Sequence, residues 1–380
     1  MMGVSGRTGP AGRRRRSSRL GEDAGVVTML LAVLLGGGVL LAAGALVVDV
    51  GQLYAEREQL QSGADSAALA VARNCVANPA GCAGQAATLA GQYANANAKD
   101  GTSAVSVICG TGPGLPSCPP QPAGRAACLG AAPAGASYAE VRTATRTQSG
   151  STLLPPTFAR ALAGQGNDQG TAVHACARVA WGPPAAATGL AITVSQCNWQ
   201  VMTGNGAQIP TDEQVIYLHD PHTADPASAL CAKDPSGKTA PGGFGFLSAN
   251  AGTCQATGQV NTSWAGSTGN SSQGCETPLG NLRASQQPIP LPIYDTVTGT
   301  GNNTTYHILG FGAFIVTGWS LSGTSAASNV LPSSTAPKPA ATYCTGASRC
   351  LYGYFTTQLM TIGQFAATTN YGLSLVKTTG

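Results

Sequence analysis

The organisation of the chain is decided by residues 26–48, which read VVTMLLAVLLGGGVLLAAGALVV. None of these residues is charged, and nearly all are Ala, Val, Leu or Gly. At 1.5 Å rise per residue, a helix of this length spans about 34 Å, compared with about 30 Å for the hydrocarbon core of a bilayer. A helix also satisfies its own backbone hydrogen bonds, as lipid requires. The stretch therefore predicts a transmembrane helix over residues 26–48.

The residues before this stretch are basic. Six arginines are offset only by Glu22 and Asp23, and the rest of the chain carries equal numbers of basic and acidic side chains, so the formal net charge of +4 lies in this tail. The positive-inside rule predicts that residues 1–25 form a cytoplasmic tail and that the rest lies outside the cytoplasm. The charge indicates topology, and no nucleic-acid partner is predicted. The arginines are Arg7, Arg13, Arg14, Arg15, Arg16 and Arg19.

Two kinds of cleavage are alternatives to a retained, single-pass anchor in the cell membrane. Ala43-Gly44-Ala45 fits the small-x-small site of a signal peptide, although the apolar stretch exceeds the 7–15 residues usual there. Prepilin-type cleavage after Gly25 would want a glutamate where Leu30 stands. Helical sequence also continues beyond both sites, which favours the retained anchor.

The apolar stretch contains two small-xxx-small pairs, Ala32/Gly36 and Gly38/Ala42. Such pairs allow another membrane helix to approach closely. The alternative is that the three consecutive glycines are only a weak point of the helix, which lipid tolerates.

An apolar stripe continues past the membrane segment with alternating steps of four and three residues, interrupted by Arg57. This heptad spacing predicts a stalk helix that reaches about Asn74. Two interpretations remain open: the stripe packs onto the chain's own outer domain, or it contacts a partner helix. The candidate partner-contact residues are Val50, Leu53, Leu60, Ala64, Ala67 and Val71.

The same segment carries a family pattern in Val47–Tyr54, Gln59–Gln61 and Ala64–Ala70. This pattern resembles the N-terminal module of the TadE/TadG-like (Tad domain) proteins of Flp pilus assembly. Residues 158–162 and 173–180 resemble the end of that module, which would give residues 49–182 a stalk helix and a small α/β module. The resemblance implies pilus-assembly or envelope proteins as partners.

Some larger relatives carry an integrin-type metal site with the pattern Asp-x-Ser-x-Ser. The nearest match in this chain, Asp234-Pro235-Ser236-Gly237-Lys238, lacks the last serine, so that activity is not carried over.

All twelve cysteines follow the apolar stretch, and an even number on the exported side predicts disulfides. The absence of any Cys-x-x-Cys argues against zinc and thioredoxin-like sites. Cys118 and Cys128 are expected to hold the loop over residues 110–135. The further candidate pairs are Cys75/Cys82, Cys254/Cys275 and Cys344/Cys350.

The pattern after the stalk predicts an α+β fold. Only 9% of the residues are charged, whereas 43% are hydrophobic, which is enough apolar material for a core. Pro183 and Pro184 mark the boundary between a first module and a β-rich exported region, which covers residues 183–380. In sum, the prediction is a transmembrane helix that continues as a stalk helix, then a disulfide-rich antiparallel β domain with short helices. The predicted helices are 85–98 and 157–163, and the strands are 103–109, 138–147, 173–181, 214–219, 290–295, 305–321 and 351–360.

Catalytic signatures are missing from the sequence: there is no Gly-x-Ser-x-Gly, His-Glu-x-x-His, P-loop or dinucleotide fingerprint. His219 and His222, with Asp212, Glu213 and Asp225 nearby, offer metal ligands, but an Asp-Pro turn explains that cluster equally well. No metal, cofactor or catalytic residue is assigned.

Tryptophans suggest a glycan-binding alternative. Trp264 lies in a polar stretch and is the candidate ligand contact, whereas Trp181 and Trp319 fit strand patterns and are expected in the core. The predicted function is a membrane-anchored, exported, non-enzymatic component or accessory of Flp/Tad-type pilus assembly or surface adhesion. The alternatives are an anchored or secreted hydrolase and a carbohydrate-binding module, each with its site in residues 183–380.

Overall fold

The chain begins with one long helix, α1 (Leu20–Ala77), which has 58 residues and no interruption. It contains both the apolar stretch and the stalk, so the predicted continuity of the two is confirmed. A short 3-10 turn (Pro79–Gly81) reverses the chain into α2 (Cys82–Ala96). The computed structural model describes residues 20–120, 130–158, 170–207, 213–219, 245–250, 252–267, 274–321, 324–326 and 349–380.

Three antiparallel strands lie against these helices: β1 (Ala104–Gly110), β2 (Ser137–Ala144) and β3 (His174–Gly182). Alternation of side chains along β2 and β3 places one face of each strand against the helices. That face is built largely of small residues, with Ala139, Val141, Ala177 and Val179 buried against α1 and α2. Small side chains on both sides allow a close approach of helix and sheet. The prediction of a long helix laid over three antiparallel strands is confirmed.

A second, larger group of short elements follows. Its central strand is β10, which has 17 residues and pairs with four other strands, β8, β9, β11 and β12. The elements are β4 (Ala186–Leu190), β5 (Val194–Ser195), α3 (Gln196–Thr203), β6 (Gln214–His219), β7 (Gln255–Gln259), β8 (Thr262–Ala265), α4 (Glu276–Ser285), β9 (Ile289–Thr298), a 3-10 turn (Gly301–Asn303), β10 (Thr305–Leu321), β11 (Thr324–Ala326), β12 (Arg349–Thr356), β13 (Gln358–Met360) and β14 (Leu373–Thr378).

The larger sheet has seven strands. Five of them follow one another in the order β5-β9-β10-β12-β6, and β8 and β11 each pair with β10 as well. Its core contains Phe314 and Phe355, whose rings meet edge to face with centroids 5.2 Å apart. The glycines of β10 serve close packing, because a Cβ at Gly310 would lie 2.5 Å from the Tyr371 ring. This close approach is what the glycine-rich sequence of β10 predicts.

The last described strand returns to the first sheet. β14 pairs antiparallel with β3, with Leu375 opposite Gly182, and β13 pairs parallel with β14. The first sheet therefore has five strands in the order β1-β2-β3-β14-β13. Residues 349–380 contribute to both sheets, because β12 belongs to the larger one.

All nine cysteines in the described part of the chain are in disulfides. The structure pairs Cys75 with Cys82 and Cys254 with Cys275. Cys350 is also disulfide-bonded, whereas Cys344 lies outside the described residues.

One cysteine expectation is corrected. Cys118 bonds to Cys109, at the end of β1, and not to Cys128, which lies outside the described residues. The reason is a tight turn in which the Gly110 amide donates to the Pro116 carbonyl over 2.9 Å and brings Cys118 back beside β1.

Candidate functional site

The first half of α1 lies outside the folded domain. Leu35 and Leu40 are 66% and 75% exposed, and the apolar side chains around them are similarly uncovered. Among the described residues, one helical segment, Gly25–Ala77, is long and apolar enough to cross a membrane, with a mean hydropathy of 2.5 in its most apolar window. An exposed apolar surface of this size requires a covering, and lipid is the covering that its composition fits.

The second half of α1 is buried inside the chain. Of the candidate partner-contact residues, Leu60, Ala64, Ala67 and Val71 are at most 2% exposed. The last three belong to a core cluster with residues of α2, β2 and β3, and the Leu60 carbonyl accepts a hydrogen bond from Thr143 of β2. These four side chains already have intramolecular neighbours, so the packing replaces the partner-contact interpretation for them. Here the stripe packs onto the chain's own outer domain, which is the other of the two predicted alternatives.

Between the two halves, the buried face of α1 is offset by one residue from the apolar stripe. Ala45 and Asp49 are 7% and 9% exposed, whereas Leu46 and Val50 next to them are 63% and 39% exposed. Leu53 is half-buried. Near the end of the apolar stretch, a carboxylate therefore faces the domain while aliphatic side chains face outward. Packing of the apolar stripe onto the domain would instead have placed Val50 inward and Asp49 outward.

The cause of this offset is a loop, residues 154–158, that binds the inward face of the helix; we call it the docking loop. The Asp49 carboxylate accepts hydrogen bonds from the backbone amides of Thr157, at 2.8 Å, and Phe158, at 3.0 Å. The Gln52 side-chain oxygen accepts another from the Thr157 hydroxyl at 2.9 Å. Bonds to an ionised carboxylate are stronger than neutral ones, so they hold Asp49 toward the domain.

The docking loop is itself held by the rest of the module. Leu154 exchanges two backbone hydrogen bonds with Thr171, at 2.9 and 3.0 Å. A cavity of about 230 Å³ separates loop and helix, and Asp49, Leu53 and Pro156 are among the residues that line it. The predicted helix over 157–163 is not seen at Thr157 and Phe158, and its remaining residues lie outside the described part of the chain.

Polar contacts continue along α1 on the C-terminal side of the docking loop. Burial raises the pKa of Glu56, and a hydrogen bond from Thr145 partly offsets that effect. The Gln59 side-chain oxygen accepts from the Lys99 amide at 2.6 Å, and Gln61 donates to the Cys176 carbonyl at 2.9 Å. These contacts fix the rotation of α1 relative to the sheet.

The residues considered for metal binding are mostly not described by the structure. Asp212, His222 and Asp225 lie outside the described residues, and for His219 only the backbone in β6 is described. Glu213 accepts a hydrogen bond from the Thr317 hydroxyl of β10. Elsewhere, Cys109, Cys118 and Glu140 come within 4.8 Å of one another, but the disulfide between the two cysteines leaves only one ionisable ligand.

Trp264, the candidate glycan contact, lies in β8 and is 9% exposed. Its indole nitrogen donates to the Gln259 carbonyl at 3.0 Å, and its ring lies near Phe311. A Cβ at Gly258 would lie 2.4 Å from this ring, so the glycine makes room for it. This placement gives Trp264 a packing role. Trp181 and Trp319 are also buried, as expected.

A histidine–carboxylate pair that the sequence did not single out lies on the larger sheet. His307 Nδ1 is 2.7 Å from Asp295 Oδ1, and Ser263 stands opposite His307 in the β8–β10 register. A catalytic triad needs the serine hydroxyl on the other ring nitrogen. No hydrogen bond between Ser263 and His307 occurs in the described structure, and no catalytic role is assigned to them.

Residues 25–74 match the model of the Tad family, described as putative Flp pilus-assembly TadE/G-like. The matched segment is α1 itself, from the start of the apolar stretch through the offset at Asp49 to the buried seam. The predicted resemblance is confirmed over these residues, and its extension to residues 158–180 stays a prediction. No curated protein and no solved structure matches this chain.

Proposed function

We propose that the protein is a membrane-anchored, exported and non-enzymatic component or accessory of Flp-type pilus assembly. The observation that carries this proposal is the coincidence of the Tad match with α1, in which an exposed apolar half runs without a break into a half buried in the folded domain. Such a helix attaches a folded domain directly to a membrane, which suits a structural component of an assembly system in the cell envelope.

Two features support an orientation with the folded domain outside the cytoplasm. The six arginines before the apolar stretch favour a cytoplasmic N-terminus. The nine described cysteines are all in disulfides, which form and persist in oxidising compartments. Both observations favour the same side of the membrane.

The surface proposed for partner contact is the outward face of α1 at its membrane end. Val50 is the candidate residue on this face, and Leu53, half-buried beside the docking loop, borders it. Within the apolar stretch, a Cβ at Gly36 or Gly38 would meet no other atom within 4 Å, so these glycines have no intramolecular packing role. Exposed small residues permit close contact with a helix of another membrane protein.

The partner surface is tested with Val50→Asp in the full chain. Ala55→Asp is the matched control, because Ala55 is exposed on the same helix but points to a different side. Leu60→Asp is unsuitable, since it would place a charge in the core. We expect Val50→Asp to reduce co-purification with pilus-assembly proteins from solubilised membranes and to reduce the number of pili, whereas Ala55→Asp leaves both unchanged. Equal behaviour of the two variants would refute this surface.

The anchor is tested separately by fractionating cells into membrane, released and sheared-filament material and mapping the N-terminal peptide by mass. An intact N-terminus in the membrane fraction is the expected result. A released chain that begins near Leu46 would mean that the apolar stretch is a cleaved signal peptide, and the proposed function would then be abandoned.

A further inference from the structure

The docking loop places an exposed aromatic residue at the level where α1 leaves its apolar stretch. Phe158 is 47% exposed, and its backbone amide donates to Asp49, the first charged residue after residues 26–48.

We propose that Phe158 is a second membrane contact, which lies in the lipid interface and holds the docking loop against the bilayer. This inference rests on the proposed function, because it takes residues 26–48 to be the membrane anchor. The partner is the lipid surface itself, and the contact continues the apolar surface of the helix.

The depth of Phe158 follows from the dimensions of helix and bilayer. The apolar stretch is about 34 Å long, slightly longer than a hydrocarbon core of about 30 Å. Asp49 therefore lies at the boundary between hydrocarbon and headgroups. The headgroup region is roughly 5–7 Å thick on each side. Phe158, whose amide lies 3.0 Å from the Asp49 carboxylate, is therefore held at the level of this layer.

The hydrogen bonds at Asp49 make this depth tolerable for a carboxylate. An ionised side chain near hydrocarbon is costly unless polar groups surround it. The amides of Thr157 and Phe158 provide such groups, at 2.8 and 3.0 Å. The preceding Pro155 and Pro156 lack amide hydrogens, so the loop brings few unsatisfied donors toward the lipid.

A second aromatic residue agrees with this placement. Tyr54 is 66% exposed and lies five residues beyond Asp49 on the same helix. Along the helix axis, it is roughly 7 Å further from the apolar stretch than Asp49. Tyrosine and tryptophan collect at membrane interfaces because their rings are amphipathic. Tyr54, on the helix, thus marks the outer edge of the headgroup layer, and Phe158, on the docking loop, lies below it as the apolar contact.

The proposal is tested by fluorescence quenching in vesicles that contain brominated lipid. The full chain is reconstituted as Phe158→Trp, with Tyr93→Trp as the control, because Tyr93 is 43% exposed but lies on α2, away from the membrane end of α1. The four native tryptophans are between 4% and 9% exposed, so the parent protein gives the background. We expect loss of fluorescence from the indole at position 158 and none from the indole at position 93.

A third variant, Val33→Trp, separates failure of this inference from failure of the anchor. Val33 lies within the apolar stretch and is 63% exposed. If position 33 is quenched and position 158 is not, the helix spans the bilayer but the domain stands away from it, and the inference is overturned. If position 33 is not quenched, the anchor itself is wrong, and both proposals fall.

The role of the docking loop is tested by combining Phe158→Trp with a change at Asp49. Asp49→Ala removes both acceptor oxygens, whereas Asp49→Asn keeps one of them. We expect quenching at position 158 to fall with Asp49→Ala and to be largely retained with Asp49→Asn. Unchanged quenching with Asp49→Ala would show that Asp49 does not hold the loop at the membrane.

Discussion

The hydroxyl of Thr143, on β2, donates a hydrogen bond to the backbone carbonyl of Leu60, in the middle of α1, over 2.9 Å. Thr143 is 1% exposed and Leu60 is 2% exposed, so the bond lies in the interior. A carbonyl oxygen can accept two hydrogen bonds, and Leu60 can therefore serve the helix and the sheet together. This contact joins the two layers where the buried seam of α1 begins.

Loss of this bond should weaken the domain. Thr143→Val keeps the shape of the side chain and removes the donor, so we expect the free energy of unfolding to fall by about 1 kcal/mol. Thr143→Ser, which keeps the hydroxyl, should lose less. Denaturant unfolding of the detergent-solubilised full chain measures both changes. A loss in Thr143→Ser with none in Thr143→Val would mean that the methyl group matters and the hydrogen bond does not.

The crossing of α1 and α2 predicts opposite effects for the same substitution at two glycines. A Cβ at Gly63 would lie 3.2 Å from the Ala94 carbonyl oxygen, whereas a Cβ at Gly91 would meet nothing within 4 Å. Gly91→Ala should therefore stabilise the protein by up to about 1 kcal/mol through helix propensity. Gly63→Ala should destabilise it by about 1 kcal/mol because the helices must move apart. Thermal unfolding decides the sign, and stabilisation by both variants would contradict the close crossing.

A buried carboxylate on β2 is predicted to be costly to neutralise. Glu140 is 1% exposed and is paired with Arg142 Nε at 2.7 Å and with Arg178 Nη2 at 3.0 Å. Glu140→Gln would leave two poorly solvated guanidinium groups without a counter-charge, so we expect a loss of about 3 kcal/mol. Glu58→Gln, on an exposed position of α1, is the control and should change stability little. A similar small effect in both variants would show that the arginines find other partners.

The stability of the module should depend on pH through Asp65. Burial raises the pKa of this carboxyl, and a hydrogen bond from Gln61 at 3.1 Å partly opposes the effect. The folded protein then binds the proton more tightly than the unfolded chain, so this residue's contribution to stability declines as the pH rises through the unfolded-state value, about 4, toward the raised folded-state value.

Asp65→Asn removes this dependence. We expect the variant to be more stable than the parent at pH 7, and we expect the difference to shrink as the pH is lowered to about 4. Denaturant midpoints measured across this range test the sign. A difference that grows toward acid pH would mean that the Asp65 carboxylate is stabilised in the fold rather than disfavoured.

The parts of the fold that depend on local patterns could be predicted from the sequence. The absence of charge over residues 26–48 and the heptad spacing beyond it are both local, and together they define α1. The ends of α3 carry local signals as well, since Ser195 caps its first turn and Gly204 ends it with a positive φ.

What could not be predicted depends on contacts between distant residues. The offset at Asp49 arises from amides of Thr157 and Phe158, far along the chain, and no periodicity within α1 contains that information. The apolar stripe therefore includes Val50 and gives no sign that Asp49 is the buried residue. Likewise, sequence distance could not choose between Cys109 and Cys128 as the partner of Cys118, because a turn over residues 110–116 decides it.

The pairing of β14 with β3 has a consequence for the order of events in an exported chain. In the proposed orientation, translocation from the N-terminus delivers β3 long before residues 373–378 arrive. During that interval one edge of β3 has no neighbouring strand, and open strand edges invite pairing with other chains. The first sheet is thus completed only when its β14 strand is in place, and until then the open edge of β3 can pair with other chains.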